Sequence, residues 1–215
     1  MKTLKTIIIA LVGALTIFAC KNNQERNKID QLENEVVSST ESPPQEGQII
    51  SFQKKLTLQN ITFDIKTWGE GSIRQLSIQP KGLEIDNQDI EFEIDGDVVN
   101  AEIEDLNSDG SPEILIYTVS AGSGSYGNVI GYSVINGKSI SEIYFPEISE
   151  NKEASSGYMG HDVFAIVETS LVRRFPVYKE GDSNSNPTGG TRQIQYKLKD
   201  GEASRVFVIE KISEY

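Results

Sequence analysis

Residues 114–135 read Ile114-Leu115-Ile116-Tyr117-Thr118-Val119, then Ser120-Ala121-Gly122-Ser123-Gly124-Ser125-Tyr126-Gly127, then Asn128, then Val129-Ile130-Gly131-Tyr132-Ser133-Val134-Ile135. The two outer segments have strand length, are rich in β-branched and aromatic residues, and are more continuously apolar than any others in the domain. Near-continuous apolarity predicts strands covered on both faces. The middle run cannot build a core, so it predicts a loop with fixed ends and an adaptable tip. Glycines let main-chain groups approach a partner closely, and such a loop presents amides, hydroxyls and Tyr126 together. Composition alone favours an ordinary long hairpin turn.

The same grammar extends outward in both directions. Leu56, Leu58, Ile61, Phe63 and Ile65 alternate with polar residues, and Ile90, Phe92, Ile94, Val99 and Ile103 continue the period of two. Such segments are half-buried strands with one wet face. Further strands are expected at Ile140 to Phe145, Val163 to Val167, Leu171 to Tyr178, Arg192 to Leu198 and Val206 to Ile212. Turn signals fall at Gly69 to Ser72, Asp86-Asn87, Asp95-Gly96, Asn107 to Gly110, Asn136-Gly137 and Asp200-Gly201. Glu180 to Gly190 predicts a long exposed loop. No helix longer than a few turns and no propeller or solenoid repeat is expected. The fold class is therefore all-β, an antiparallel sandwich or barrel-like sandwich of about eight or more strands over residues 49–215.

Upstream the pattern changes. Lys2 and Lys5 precede an apolar stretch from Ile7 to Phe18 that ends Ile17-Phe18-Ala19-Cys20. Positive charge, a short apolar region and a small residue before the break make residues 1–19 a secretion signal. The cysteine directly after Ala19 makes the segment similar to a bacterial lipobox, with Cys20 the lipidated amino terminus; a plain signal peptide is the alternative. Residues 20–48 are rich in Asn, Gln, Glu and Ser and contain Pro43-Pro44. They read as a flexible tether, with Ile29, Leu32 and Val36 at a spacing that permits a short helix. Acyl chains would hold the protein on a membrane of the bacterial cell envelope, taken as the outer membrane facing the periplasm.

Cys20 is the only cysteine, so an internal disulfide is excluded and stability must come from packing and backbone hydrogen bonds. The formal net charge is −12, which disfavours nucleic acid and favours cationic partners. No cofactor is expected.

Three groups of residues bear on chemistry. Asp105-Leu106-Asn107-Ser108-Asp109-Gly110-Ser111-Pro112-Glu113 begins like a calcium loop, with oxygen ligands at alternate positions before a glycine. The twelfth position falls on Ile116, so only an atypical site closed by Glu113 would hold calcium. A turn whose Asp and Asn side chains bond local amides is the favoured reading, and no metal is assigned. His161, the only histidine, sits beside Asp162, but nothing brings a serine nucleophile to it. Asp95, Asp97, Glu102 and Glu104 are the acids on which glycoside chemistry would rest, and on strands and turns such acids are mostly solvated. The chain is therefore not read as an enzyme. Arg173 and Arg174 interrupt an apolar strand, so at least one faces water or an acidic partner. Trp68 reads as a core or rim residue.

Ser120 to Gly127 resembles the inhibitory loop of the bacterial periplasmic inhibitors of invertebrate-type lysozyme. The resemblance extends to Asp105 through Glu113, to Tyr158-Met159-Gly160-His161-Asp162, to Leu171 through Tyr178, and to Pro187-Thr188-Gly189-Gly190-Thr191-Arg192. It implies a β-sandwich that inhibits a muramidase by inserting this loop into the catalytic cleft. The family's functional serine and tyrosine, three apart, fall on Ser123 and Tyr126. Ser125, Gly122, Gly124 and Gly127 complete the implied binding loop. The partner so implied is a lysozyme. Related inhibitors of other lysozyme classes share the Ser-Gly-Ser pattern but often contain a disulfide, and its absence here favours the invertebrate type. The alternative of a different class is a lipid-anchored, calcium-stabilised adhesion or envelope-binding module.

Overall fold

A computed structural model describes residues 49–215. The expected secretion signal, Cys20 and the tether of residues 20–48 lie outside the described residues. Twelve strands form three four-stranded antiparallel sheets, each a meander in chain order. The first holds β1 (Ile50–Leu58), β2 (Ile61–Trp68), β3 (Ile73–Lys81) and β4 (Ile90–Asp95). The second holds β5 (Asp97–Glu104), β6 (Glu113–Val119), β7 (Gly127–Ile135) and β8 (Ser139–Ile143). The third holds β9 (Val163–Val167), β10 (Ser170–Pro176), β11 (Thr191–Asp200) and β12 (Arg205–Glu214). A single-turn helix, α1 (Lys152–Ser155), lies between β8 and β9, capped by the Asn151 side chain.

The sheets stack as a three-layer sandwich, because two cores share the second sheet. Ile114 and Ile116 of β6 pack with Phe63, Ile65, Leu76 and Ile78 of the first sheet. Leu115 and Tyr117, pointing the other way, pack with Phe164, Leu171, Phe175, Ile194, Tyr196 and Phe207 of the third. Alternation of side chains across a strand assigns odd and even residues of β6 to different cores. This is why Ile114 to Tyr117 are apolar without interruption: both faces are covered. The outer sheets keep one wet face and the alternating pattern that goes with it.

Two features depart from expectation. Strand β3 had no predicted counterpart. Its Pro80 pairs with Phe63 but lies beyond Ile78↔Ile90, where the pairing with β4 ends, so the missing donor falls where β4 no longer reaches. Asp95-Gly96 is a turn, but it does not close a hairpin. It carries the chain from the first sheet into the second, with Gly96 at φ +93 and its amide donating to the Ser72 carbonyl at 2.6 Å. Trp68 is buried, as a core residue.

Candidate functional site

The Ser120–Gly127 run leaves the end of β6 and returns into β7, with Val119 paired to Gly127 at its root. The Ser120 amide donates to the Tyr126 carbonyl at 2.8 Å, and the Tyr126 amide donates to Ser120 Oγ at 3.1 Å. These bonds close the base of the loop. Within it the Ser125 amide donates to the Gly122 carbonyl at 3.3 Å, with Ser125 at φ +44.

Segments far away in sequence grip the loop from outside. The His161 amide donates to the carbonyls of Gly124 at 2.9 Å and Ser125 at 3.1 Å. Asn184 Nδ2 donates to the Ser123 carbonyl at 2.8 Å, and its Oδ1 lies 3.2 Å from His161 Nε2. The Gly127 amide donates to Asp162 Oδ2 at 2.7 Å. Gly124 and Gly160 are in close contact, so a Cβ on Gly160 would overlap the Gly124 carbonyl oxygen. A Cβ on Gly127 would meet that of Asp162 at 2.6 Å. Gly122, at φ +129, has open space around it and serves conformation alone.

Asp162 is the centre of this support. Its side chain has 0% exposure, and it accepts from Arg173 Nε at 2.6 Å and from the Tyr158 hydroxyl at 2.6 Å as well as from Gly127. Arg173 NH2 also donates to Tyr158 at 2.7 Å, and its guanidinium lies within 6.0 Å of the Phe145, Tyr158, Phe164 and Phe175 rings. Burial works against the charge on Arg173, but Asp162 outweighs it and holds the guanidinium more firmly protonated than usual. Burial, then the bond to Asp162, pushes the Tyr158 phenol up, so it stays a donor. Tyr126 rests its ring edge-on against Tyr158, with centroids 5.7 Å apart.

What the loop offers outward is hydroxyl groups. Ser123 is exposed and Tyr126 is 50% exposed; Ser125 is half-buried. Among the described residues the side-chain oxygens of Ser123, Ser125 and Tyr126 make no hydrogen bond, whereas the loop's backbone is tied by six hydrogen bonds to Asp162, His161, Asn184 and its own base. The loop is therefore pre-organised, with the hydroxyls of Ser123, Ser125 and Tyr126 left without an intramolecular partner among the described residues.

Of the other candidate residues, Asp95 is exposed with no side-chain hydrogen bond among the described residues, and the rest are engaged elsewhere. Asp105 accepts from the amides of Asp109 at 3.0 Å and Gly110 at 2.9 Å, and Asn107 from that of Asp109 at 3.3 Å. Asp109 accepts from the Ser111 amide at 2.8 Å and pairs with Arg205. Glu113 is fully buried and accepts from the Leu106 amide at 2.8 Å, Ser133 Oγ at 2.6 Å and Arg205 at 2.6 Å. The cation of this turn is thus the Arg205 guanidinium, and a calcium ion would have to displace both it and the amides. Glu102 accepts from Tyr117 at 2.6 Å and from the Ile166 amide at 2.9 Å, Asp97 pairs with Arg74 at 3.0 Å, and Glu104 accepts from the Asp105 amide at 3.1 Å. His161 is engaged through its amide, on the Gly124 and Ser125 carbonyls, and through its ring, whose Nε2 lies beside Asn184 Oδ1. Arg174 turns to Gln193 at 2.7 Å while Arg173 turns inward, onto an acidic partner inside its own chain.

Sequence reasoning missed the roles of Asp162 and Arg173 as loop supports and missed Asn184 altogether. The run Tyr158 to Asp162 carried a signal; Asn184, 61 residues from Ser123, carried none. Comparison of the chain with protein-family models, curated proteins and solved structures finds no match.

Proposed function

We propose that this chain is a lipid-anchored inhibitor of a lysozyme, of the invertebrate type, which inserts Ser120–Gly127 into the enzyme's active-site cleft and so protects the bacterial cell wall. The observation that carries this reading is the loop itself: three hydroxyls without a partner among the described residues, on a backbone fixed from beneath. A muramidase cleft holds a protonated acid and an ionised carboxylate, which in retaining enzymes lie about 5 Å apart. A hydroxyl donates to one and accepts from the other without adding charge. Ser123 serves this role, and Tyr126 lays its ring on a sugar-binding surface while its hydroxyl finds a polar partner. Because the loop is already held in shape, little ordering entropy is lost on insertion. The net charge of −12 favours encounter with cationic lysozymes.

The test is inhibition of invertebrate-type, chicken-type and goose-type lysozymes by the purified protein and by its Ser123→Ala and Tyr126→Ala variants. The parent is expected to inhibit the invertebrate type, and each variant to raise the inhibition constant by about 30-fold, as loss of a central interface residue does. Absence of inhibition of all three at micromolar concentration sinks the reading. Equal potency of parent and both variants sinks the loop assignment instead.

A further inference from the structure

Sulfur is scarce in this chain. Cys20 is the only cysteine and Met1 and Met159 are the only methionines, so Met159 carries the single sulfur among the described residues. A methionine ordinarily fills a core. Met159 is instead 38% exposed, in the segment between α1 and β9. Its neighbours in the chain all touch the loop. Tyr158 lies edge-on to Tyr126, Gly160 is pressed against the Gly124 carbonyl, the His161 amide bonds the Gly124 and Ser125 carbonyls, and Asp162 accepts from the Gly127 amide.

The Tyr126 ring meets the chain on both sides of Met159. Its centroid is 5.7 Å from that of Tyr158, and its Cδ1 lies 3.3 Å from where a Cβ on Gly160 would stand. Consecutive α-carbons are about 3.8 Å apart, so Met159 is one residue from each of these contacts. The segment is also fixed in place: Tyr158 bridges Val177, and the Tyr178 amide donates to the Gly157 carbonyl at 2.9 Å. Tyr126, 50% exposed, and Met159 are therefore displayed close together on a rigid support. A cleft that encloses the loop covers both.

A thioether gives up little hydration when it is covered, whatever surface covers it. A sulfoxide oxygen is a strong acceptor that loses its water and must find a donor. The one tryptophan, Trp68, is 3% exposed and shielded, so a peroxide meets Met159 first. The sulfur attacks one peroxide oxygen; the O–O bond breaks as the S–O bond forms, and the proton on the transferred oxygen passes to the departing hydroxide. Sulfur is oxidised by two electrons and the peroxide is reduced to water. We propose that Met159 is a second contact of the partner whose cleft takes the loop and an oxidation site that weakens this contact, so that peroxide lowers inhibition and reduction of the sulfoxide restores it. The proposal rests on the inhibitor reading for the partner's identity.

The purified protein is exposed to hydrogen peroxide alone and with saturating inhibited lysozyme, and Met159 sulfoxide is quantified by mass spectrometry of its peptide. Slower oxidation in the complex is expected. Oxidised protein, freed of peroxide, is expected to show an inhibition constant raised about tenfold, with an unchanged urea midpoint. The two methionine sulfoxide reductases, one for each epimer, should return it to the parent value. Met159→Leu, which keeps size and apolarity, should inhibit like the parent before and after peroxide, and Met159→Gln like the oxidised protein. Equal oxidation rates with and without the inhibited lysozyme overturn the contact. An unchanged inhibition constant after full oxidation, or a peroxide-treated Met159→Leu that loses as much inhibition as the parent, overturns the regulation. A protein that inhibits no lysozyme removes the partner and this contact together, whereas inhibition with an unprotected Met159 removes the contact alone.

Discussion

Asp162 shows how much of the loop's geometry depends on one buried carboxylate. Its two oxygens receive Arg173, Tyr158 and the Gly127 amide, and the side chain that holds them has no exposure. Replacing it with asparagine strands a buried guanidinium, and loss of one member of a buried pair costs about 3–5 kcal/mol. Asp162→Asn is therefore expected to lower stability to urea by about that amount and to weaken inhibition, whereas Ser123→Ala weakens inhibition alone. Urea midpoints set beside inhibition constants separate the two, and an Asp162→Asn protein as stable as the parent contradicts the argument. A second carboxylate acts in the segment that carries Asn184, the residue that holds the Ser123 carbonyl. Asp182 accepts from the amides of Lys179 at 2.7 Å and Thr188 at 2.8 Å, and these bonds hold it below the ordinary aspartate value of 3.8. With the folded value depressed, the stabilisation is present above 3.8 and is lost as pH falls through the lower folded value. The Lys179 and Thr188 amide resonances are expected to titrate with a midpoint below 3.8; a midpoint at or above it removes Asp182 as the holder of this loop.

Among the elements, β6 was legible and β3 was not, for opposite physical reasons. In β6 burial on both faces writes itself into sequence as uninterrupted apolarity. In β3 the alternation of Leu76 and Ile78 is broken by Pro80, which weakens any strand pattern and is harmless only because β4 stops short of it. Division into three sheets was hidden as well, since Asp95-Gly96 reads as a hairpin turn and nothing local says that the next strand joins another sheet. The site was half legible. Ser123 and Tyr126 stand out by composition and resemblance, but the clamp joins residues 35 and 61 apart in sequence, a relation that only tertiary packing creates. That clamp makes a prediction about a residue outside the loop. Gly160 holds φ +90 with its α-carbon turned toward the Gly124 carbonyl, and a side chain there forces both an unfavourable backbone and a displaced loop, at a cost of about 1–3 kcal/mol. Gly160→Ala should reduce inhibition and shift the Ser123 to Tyr126 amide resonances while the sheets keep theirs. Unperturbed loop resonances would show that His161 and Gly160 do not set its shape.

For the molecule as a whole, the consequence of stacking three sheets on one shared layer is cooperativity. Leu115 and Ile116 are neighbours in β6 and both fully buried, but Leu115 sits in the core with Phe164 and Leu171 while Ile116 sits in the core with Phe63 and Ile78. Each truncation to alanine removes a buried side chain from a packed interior, at a cost of about 2–5 kcal/mol. If the layers were independent, each substitution would weaken only its own core. A strand that serves both cores cannot leave one without leaving the other, so residues 49–215, which fall within one compact unit, should unfold in a single step. Trp68, buried at the end of β2 in the first sheet, reports one outer layer by fluorescence, and the tyrosines Tyr117 and Tyr196 report the opposite core by near-ultraviolet circular dichroism. Both signals should move together in the parent, in Leu115→Ala and in Ile116→Ala, at lower urea in each variant. A Trp68 transition that stays at the parent midpoint in Leu115→Ala would show the first sheet to be separable. It would also mean that the two ends of the Ser120–Gly127 loop are fixed by the second and third sheets without help from the first.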